Sequence, residues 1–173
     1  MSKLLVGLLG LFAACALSAS SADAYSLNNR EGRFSAELPD EPKFEKLREQ
    51  TKAGYHVDRY QWLVDKGETA WIITYGDYPP ADVRRIGVET MYDNGVQGSV
   101  EGVKGTLRDQ GPVDHSGVRG RELFVHVPEG NLVMRQRLFI LNNRLYQNVY
   151  VGPDGTERTP EVEAFLNSFR MRR

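Results

Sequence analysis

Leu132-Val-Met-Arg-Gln-Arg-Leu-Phe-Ile-Leu141, Asn142-Asn143 and Arg144-Leu-Tyr-Gln-Asn-Val-Tyr-Val151 decide the fold class. Two runs of aliphatic, aromatic and β-branched residues flank a pair of asparagines, a residue that tolerates the left-handed backbone of a two-residue type I′ turn. The stretch reads as a β-hairpin. Fixing the turn fixes the register, with Leu141 opposite Arg144 and each further pair found by counting outward. One face then collects Leu132, Met134, Leu138, Ile140, Leu145, Val149 and Val151, interrupted by Gln136 and Gln147. The other collects Arg135, Arg137, Phe139, Tyr146, Asn148 and Tyr150. On it Phe139 faces Tyr146, Arg137 faces Asn148, and Arg135 faces Tyr150.

Outward from the hairpin, a further strand over Val118–Val127 enters it through the turn Pro128-Glu129-Gly130-Asn131. Downstream, Thr159 caps a helix with Pro160 in its first turn, and Val162, Phe165, Leu166 and Phe169 form its apolar stripe. That stripe is expected to pack on the face of Leu132, Met134 and Leu138. Upstream, residues 33–38 alternate as a strand closed by Pro39-Asp40-Glu41-Pro42, and a polar stretch, 43–53, follows. Residues 55–62 and 70–75 read as two strands joined by the hairpin loop 64–68, which has Gly67 at a bulge position. After Tyr78-Pro79-Pro80 the period changes to that of an amphipathic helix over 81–96, weakened by Gly87 and frayed near Asn94-Gly95. Residues 100–114 are Gly-rich, with room for a short strand at 102–108. The order predicts an α+β domain in which helices flank a central antiparallel sheet.

The N-terminus carries a different signal. Lys3 supplies a short positive region, residues 4–17 are almost wholly apolar, and Ala22-Asp23-Ala24 fits a small-residue cleavage site. Residues 1–24 are therefore expected to be a signal peptide cut after Ala24, leaving one domain, 25–173, in the periplasm or secreted. The apolar run is shorter than the roughly 20 residues of a membrane span. Cys15 is the sole cysteine, and it opens an alternative, a lipoprotein anchored through that residue, although Phe12 stands where a lipobox carries an aliphatic residue. Cleavage after Ala24 leaves no thiol for a disulfide, a nucleophile or a metal. With 22 basic and 23 acidic side chains, the net charge is −1. That balance argues against nucleic-acid binding, and a membrane tether is expected only if Cys15 is lipidated.

Chemistry-bearing motifs are sparse. His56, His115 and His126 lie far apart, without metal-ligand spacing. Asp114 and His115 are adjacent on an extended segment and so point to opposite sides. Asp77 and Asp82 flank the proline pair as turn and helix-start residues. No Walker loop, nucleophile elbow or zincin helix occurs, so no enzyme, cofactor or metal is expected. The candidate ligand surface is the set Arg135, Arg137, Tyr146, Asn148 and Tyr150. Arginine offers a planar donor fork and tyrosine a stacking face with a polar tip, a combination suited to an anionic or aromatic ligand. The alternative is a sheet face held by ordinary cross-strand Arg–Tyr pairs, or one covered by the central helix.

Phe34-Ser-Ala-Glu-Leu-Pro39 with Pro42, Ile73-Thr-Tyr75-Gly-Asp77-Tyr-Pro79 before a helix, Gly117-Val-Arg-Gly120-Arg-Glu122, Arg144-Leu-Tyr146 and Phe165-Leu-Asn-Ser-Phe169 together resemble exported bacterial proteins of the PsbP-like and Mog-like group. The resemblance implies an α/β/α sandwich and action by docking to other proteins rather than by catalysis. It transfers no functional residue, because the photosystem metal site and the Ran-binding surface of that group have no matching motif here. The expected function is a non-enzymatic interaction or assembly module with an envelope protein partner. The alternatives are a small-ligand binder using the Arg–Tyr face and a hydrolase with an unrecognised site.

Overall fold

The computed structural model describes residues 24–50 and 56–172. The expected signal segment, apart from Ala24, and Cys15 with it lie outside the described residues. The elements in chain order are β1 (Tyr25–Asn29), β2 (Phe34–Leu38), β3 (Lys43–Gln50), β4 (His56–Asp65) and β5 (Ala70–Asp77), then α1 (Pro80–Ile86) and α2 (Val88–Gly102). After these come β6 (Thr106–His115), β7 (Val118–Val127), β8 (Leu132–Leu141), β9 (Arg144–Pro153), α3 (Pro160–Ser168) and β10 (Arg170–Met171). A seven-stranded sheet runs β3-β4-β5-β9-β8-β7-β6, and a three-stranded sheet runs β1-β2-β10. Every ladder is antiparallel.

The hairpin register predicted from the asparagine turn is the one observed, with Arg135 opposite Tyr150, Arg137 opposite Asn148 and Phe139 opposite Tyr146. The turn differs in detail. A type I′ turn needs positive φ at both central residues, whereas only Asn142 has it, at 60°. Asn143 is instead tied to the β5–α1 junction, its Nδ2 donating to the Tyr78 carbonyl and its own carbonyl accepting from the Tyr78 N–H.

The expected packing of the helices is reversed. On the Met134, Leu138 and Ile140 face lie α1 and α2, whose Val83, Met91, Tyr92 and Val96 pack against Leu123, Val125 and Val149 as well. Helix α3 covers the opposite face together with the small sheet. There Val162, Phe165, Leu166 and Phe169 meet Phe34, Leu38, Trp71, Phe139, Tyr146 and Tyr150. Aromatic packing distinguishes this face: Phe34, Phe139, Phe169 and Tyr146 are each at most 1% exposed and meet ring to ring. The polar flank of α3 also supplies Glu163 and Asn167 to the arginines on that face.

The central helix is two helices. Gly87, at φ 84°, ends α1 by donating its N–H to the Val83 carbonyl, a backbone shape that costs other residues strain. Helix α2 then continues through Asn94-Gly95 rather than fraying there. Tyr92 anchors it: the hydroxyl donates to the Arg119 carbonyl at 2.8 Å and accepts the Ile140 N–H at 3.0 Å. The polar stretch after Pro42 is a strand, β3, at the sheet edge. Almost all its side chains are exposed, so it lacks the alternation that marks a half-buried strand. In the Gly-rich segment, residues 100–102 end α2, and the strand expected at 102–108 is instead the ten-residue β6, Thr106–His115, with a register shift between Leu107 and Asp109. Among the described residues no helix is long and apolar enough to cross a membrane.

Candidate functional site

The five residues singled out in the sequence do converge on one face, but under α3. Arg135 is 2% exposed, Arg137 6%, Tyr146 1%, Asn148 0% and Tyr150 2%. Each arginine is met by carboxylates. Oε1 of Glu122, on β7, accepts from Arg135 Nε at 3.0 Å and from Arg137 Nε at 2.7 Å. Glu163, on α3, accepts from Arg135 Nη1 at 2.5 Å, and Arg135 holds its carboxyl below the usual carboxylate range. Arg137 Nη1 donates to Asn167 Oδ1, and Arg135 Nη1 also to the Glu157 carbonyl. Tyr146 donates to the Gly32 carbonyl, and the Tyr150 hydroxyl bonds the Thr156 hydroxyl. This face is an interior polar layer that fastens α3 and the N-terminal hairpin to the large sheet.

Asn148 is the exception on this face, fully buried with neither polar atom of its side chain hydrogen-bonded among the described residues. The other candidates for chemistry are engaged in structure. Asp77 forms a two-point pair with Arg144, and Asp82 pairs with Arg85 within α1. His115 is bonded through Nε2 to the Phe169 carbonyl, and burial pushes its pKa down, while Asp114 is exposed. Among the described residues no group of three or more His, Cys, Asp or Glu is placed to hold a metal ion.

An open recess lies on the opposite face. Helix α2 covers β7 and the Leu138 end of β8 but leaves a cleft of about 930 Å³ over β4, β5 and β9 that reaches Met134 and Gln136 of β8. That volume sits at the upper end of the range of small-ligand sites, about 300–1,000 Å³. Its roof is Asn94, Gly95, Gly98, Ser99 and Gly102 of α2; Tyr78, Arg85 and Ile86 line it where α1 begins and ends. The roof follows from helical spacing: Met91, Gly95, Gly98 and Gly102 recur at i, i+4, i+7 and i+11. A methyl group added at Gly98 or Gly102 would meet nothing within 4 Å.

The floor is apolar at Val57, Ile72, Met134, Leu145 and Val149, but a row of uncharged polar side chains crosses it. Gln61 pairs with Thr74, and Thr74 with Gln147, in adjacent strands. Gln136, opposite Val149, continues the row diagonally onto β8. Thr74 donates to Gln147 Oε1 at 2.9 Å, which leaves the Gln147 NH₂ to donate elsewhere. Gln136 is 2% exposed, and its Oε1 has no hydrogen-bond partner among the described residues. At the Gln61 end, Arg59 pairs with Glu49 through Nη2, while its buried Nε is unpartnered among the described residues. Gln136 and Gln147 were visible in sequence only as interruptions of an apolar face. The additional signal is the set of glycines at helical spacing in the segment that covers that face, of which the local pattern reads Gly95 as a frayed helix end and Gly102 as the start of a short strand.

No family model matches the sequence, and no curated protein matches it. Solved structures do. The solution structure of cyanobacterial PsbP (CyanoP) from Synechocystis sp. PCC 6803 matches with a TM-score of 0.55 at 11% identity, over 94% of this chain and 100% of that one. A protein of unknown function from Pseudomonas aeruginosa matches with a TM-score of 0.38 at 11% identity, over 78% of this chain and 85% of that one. The chain thus has a PsbP-like α+β fold, as the sequence resemblance implied, and identity this low speaks for the fold alone.

Proposed function

We propose that the chain is an exported, non-enzymatic binding module built as an α/β/α sandwich, and that the cleft beneath α2 is where its partner docks. The observation that carries this reading is the Gln136 carboxamide oxygen, buried on the cleft floor without a partner among the described residues. An unsatisfied buried acceptor costs about 1–3 kcal/mol, a cost that a bound donor removes. Export is supported by the signal-like composition of residues 1–24. Fold similarity to PsbP is compatible with a docking role and adds no residue to it. The Arg135, Arg137, Tyr146, Asn148 and Tyr150 face is the weaker candidate, since a ligand there would have to displace α3 and Glu163.

The test is site-specific photocrosslinking in cells. A photoreactive residue at Arg85, exposed on the cleft lining, is expected to give a discrete adduct, whereas one at Glu129, outside the cleft, is not. Adducts of equal yield from both positions, or from Glu129 alone, would place the binding surface elsewhere.

A further inference from the structure

Resting on that reading of the cleft, we infer that its ligand is an extended, uncharged peptide segment, held by its backbone amides. The floor discriminates between ligand chemistries. The polar groups at its centre, Thr74, Gln147 and Gln136, carry no formal charge, and the charged side chains at its rim are already paired, Arg59 with Glu49 and Arg85 with Asp82, so a charged ligand over the row would give up hydration without gaining a free counter-ion. The available functions alternate in kind: Arg59 Nε–H and the Gln147 NH₂ donate, while Gln136 Oε1 accepts. A peptide backbone supplies both a carbonyl and an N–H at every residue. The hydrocarbon of an acyl chain supplies neither, whereas the side chains of a peptide also give Val57, Ile72, Leu145 and Val149 apolar surface to cover.

The dimensions agree. Gln61 and Gln136 stand three strands apart and two residues out of level, a span of about 16 Å at usual strand spacings, or about five residues of extended chain. The side-chain-free roof at Gly98 and Gly102 leaves that chain room to lie flat between sheet and helix.

The inference is tested on the isotope-labelled protein from Tyr25 onward, by NMR titration with acetylated, amidated hexapeptides of Ala, Val, Leu, Ser and Thr. Saturable shifts are expected in the side-chain amide signals of Gln61, Gln136 and Gln147 and in the backbone amides of Gly98 and Gly102. Matched peptides with Lys or Glu at the two central positions should bind at least about tenfold more weakly. Gln136→Leu should weaken the uncharged peptides about tenfold, the worth of one hydrogen bond to a buried acceptor. Gly98→Leu, which fills the cleft from the helix side, should abolish the shifts, and the dispersion of each variant's spectrum reports that it is folded. The inference is overturned by equal binding of charged and uncharged peptides, or by shifts confined to other surfaces. It is overturned too if peptides give no shifts while phosphatidylglycerol vesicles perturb the same glutamines. That last outcome would leave the Arg85 adduct, and so the cleft as docking site, standing with a lipid as occupant.

Discussion

Glu122→Gln should be the most damaging conservative change on the Arg–Tyr face. The glutamate is 18% exposed at its side chain and stands against two arginine side chains that are 3% and 7% exposed. Its Oε1 accepts from Arg135 Nε and Arg137 Nε, with Arg135 Nη2 at 2.9 Å. Once that charge is gone, Arg135 retains Glu163 at 2.5 Å, but the nearest carboxylate to Arg137 is 3.9 Å away and 38% exposed. Removing one partner of a buried pair costs about 3–5 kcal/mol; glutamine keeps a carbonyl acceptor, which places the loss near the lower end, at about 3 kcal/mol. In a domain of this size that corresponds to a fall in Tm of about 10 °C. Urea unfolding followed by the fluorescence of buried Trp62 and Trp71 measures it. Replacing Glu122, Arg135 and Arg137 together by leucine and methionine should restore most of the loss, because a packed apolar layer needs no counter-ions. A loss below about 1 kcal/mol for Glu122→Gln, the range of exposed pairs, would mean that water reaches these arginines and that the face is open to a ligand.

Three further outcomes follow from the packing. Gly98→Ala should raise stability by about 1 kcal/mol, since the methyl group enters open space and alanine favours the helix; a loss in thermal unfolding would mean that the roof lies against the sheet and leaves no open space at Gly98. Gly120→Ala should cost about 1–3 kcal/mol, because its Cβ would lie 2.3 Å from the Leu138 carbonyl oxygen and 2.4 Å from the Phe139 ring; an unchanged urea midpoint contradicts that contact. Burial lowers the His115 pKa from 6.5, so the unfolded chain takes up a proton before the folded one does. The stability due to neutral His115 is therefore complete above pH 6.5 and lost as pH falls below it. Tm measured from about pH 8 to about pH 5 should drop less in His115→Gln than in the parent, and parallel curves would exclude the linkage.

The hairpin and its neighbour β7 were legible because Leu132–Leu141, buried on both faces, and Val118–Val127 are runs of strand-forming residues closed by turn residues, which bounded them correctly. Strand β3 was not, since an edge strand exposed on both sides carries no period. Nor was the face chosen by α3, for both faces of the hairpin offered a stripe to pack on. The decision rests on Phe34 and Phe169, distant in sequence, closing over Phe139 and Tyr146. Local pattern cannot report such a contact. The same limit governed the site: Arg135 and Arg137 looked available because their partners, Glu122 and Glu163, lie on other elements. Gln136 looked like a flaw because its significance depends on a helix that stops short of covering it.

The most direct measurement of the central claim is the yield of the Arg85 photoadduct when Gly98→Leu is introduced into the same chain. A binding cleft beneath α2 predicts that the adduct disappears while the melting temperature holds or rises. An adduct of undiminished yield from a cleft filled in this way would contradict it.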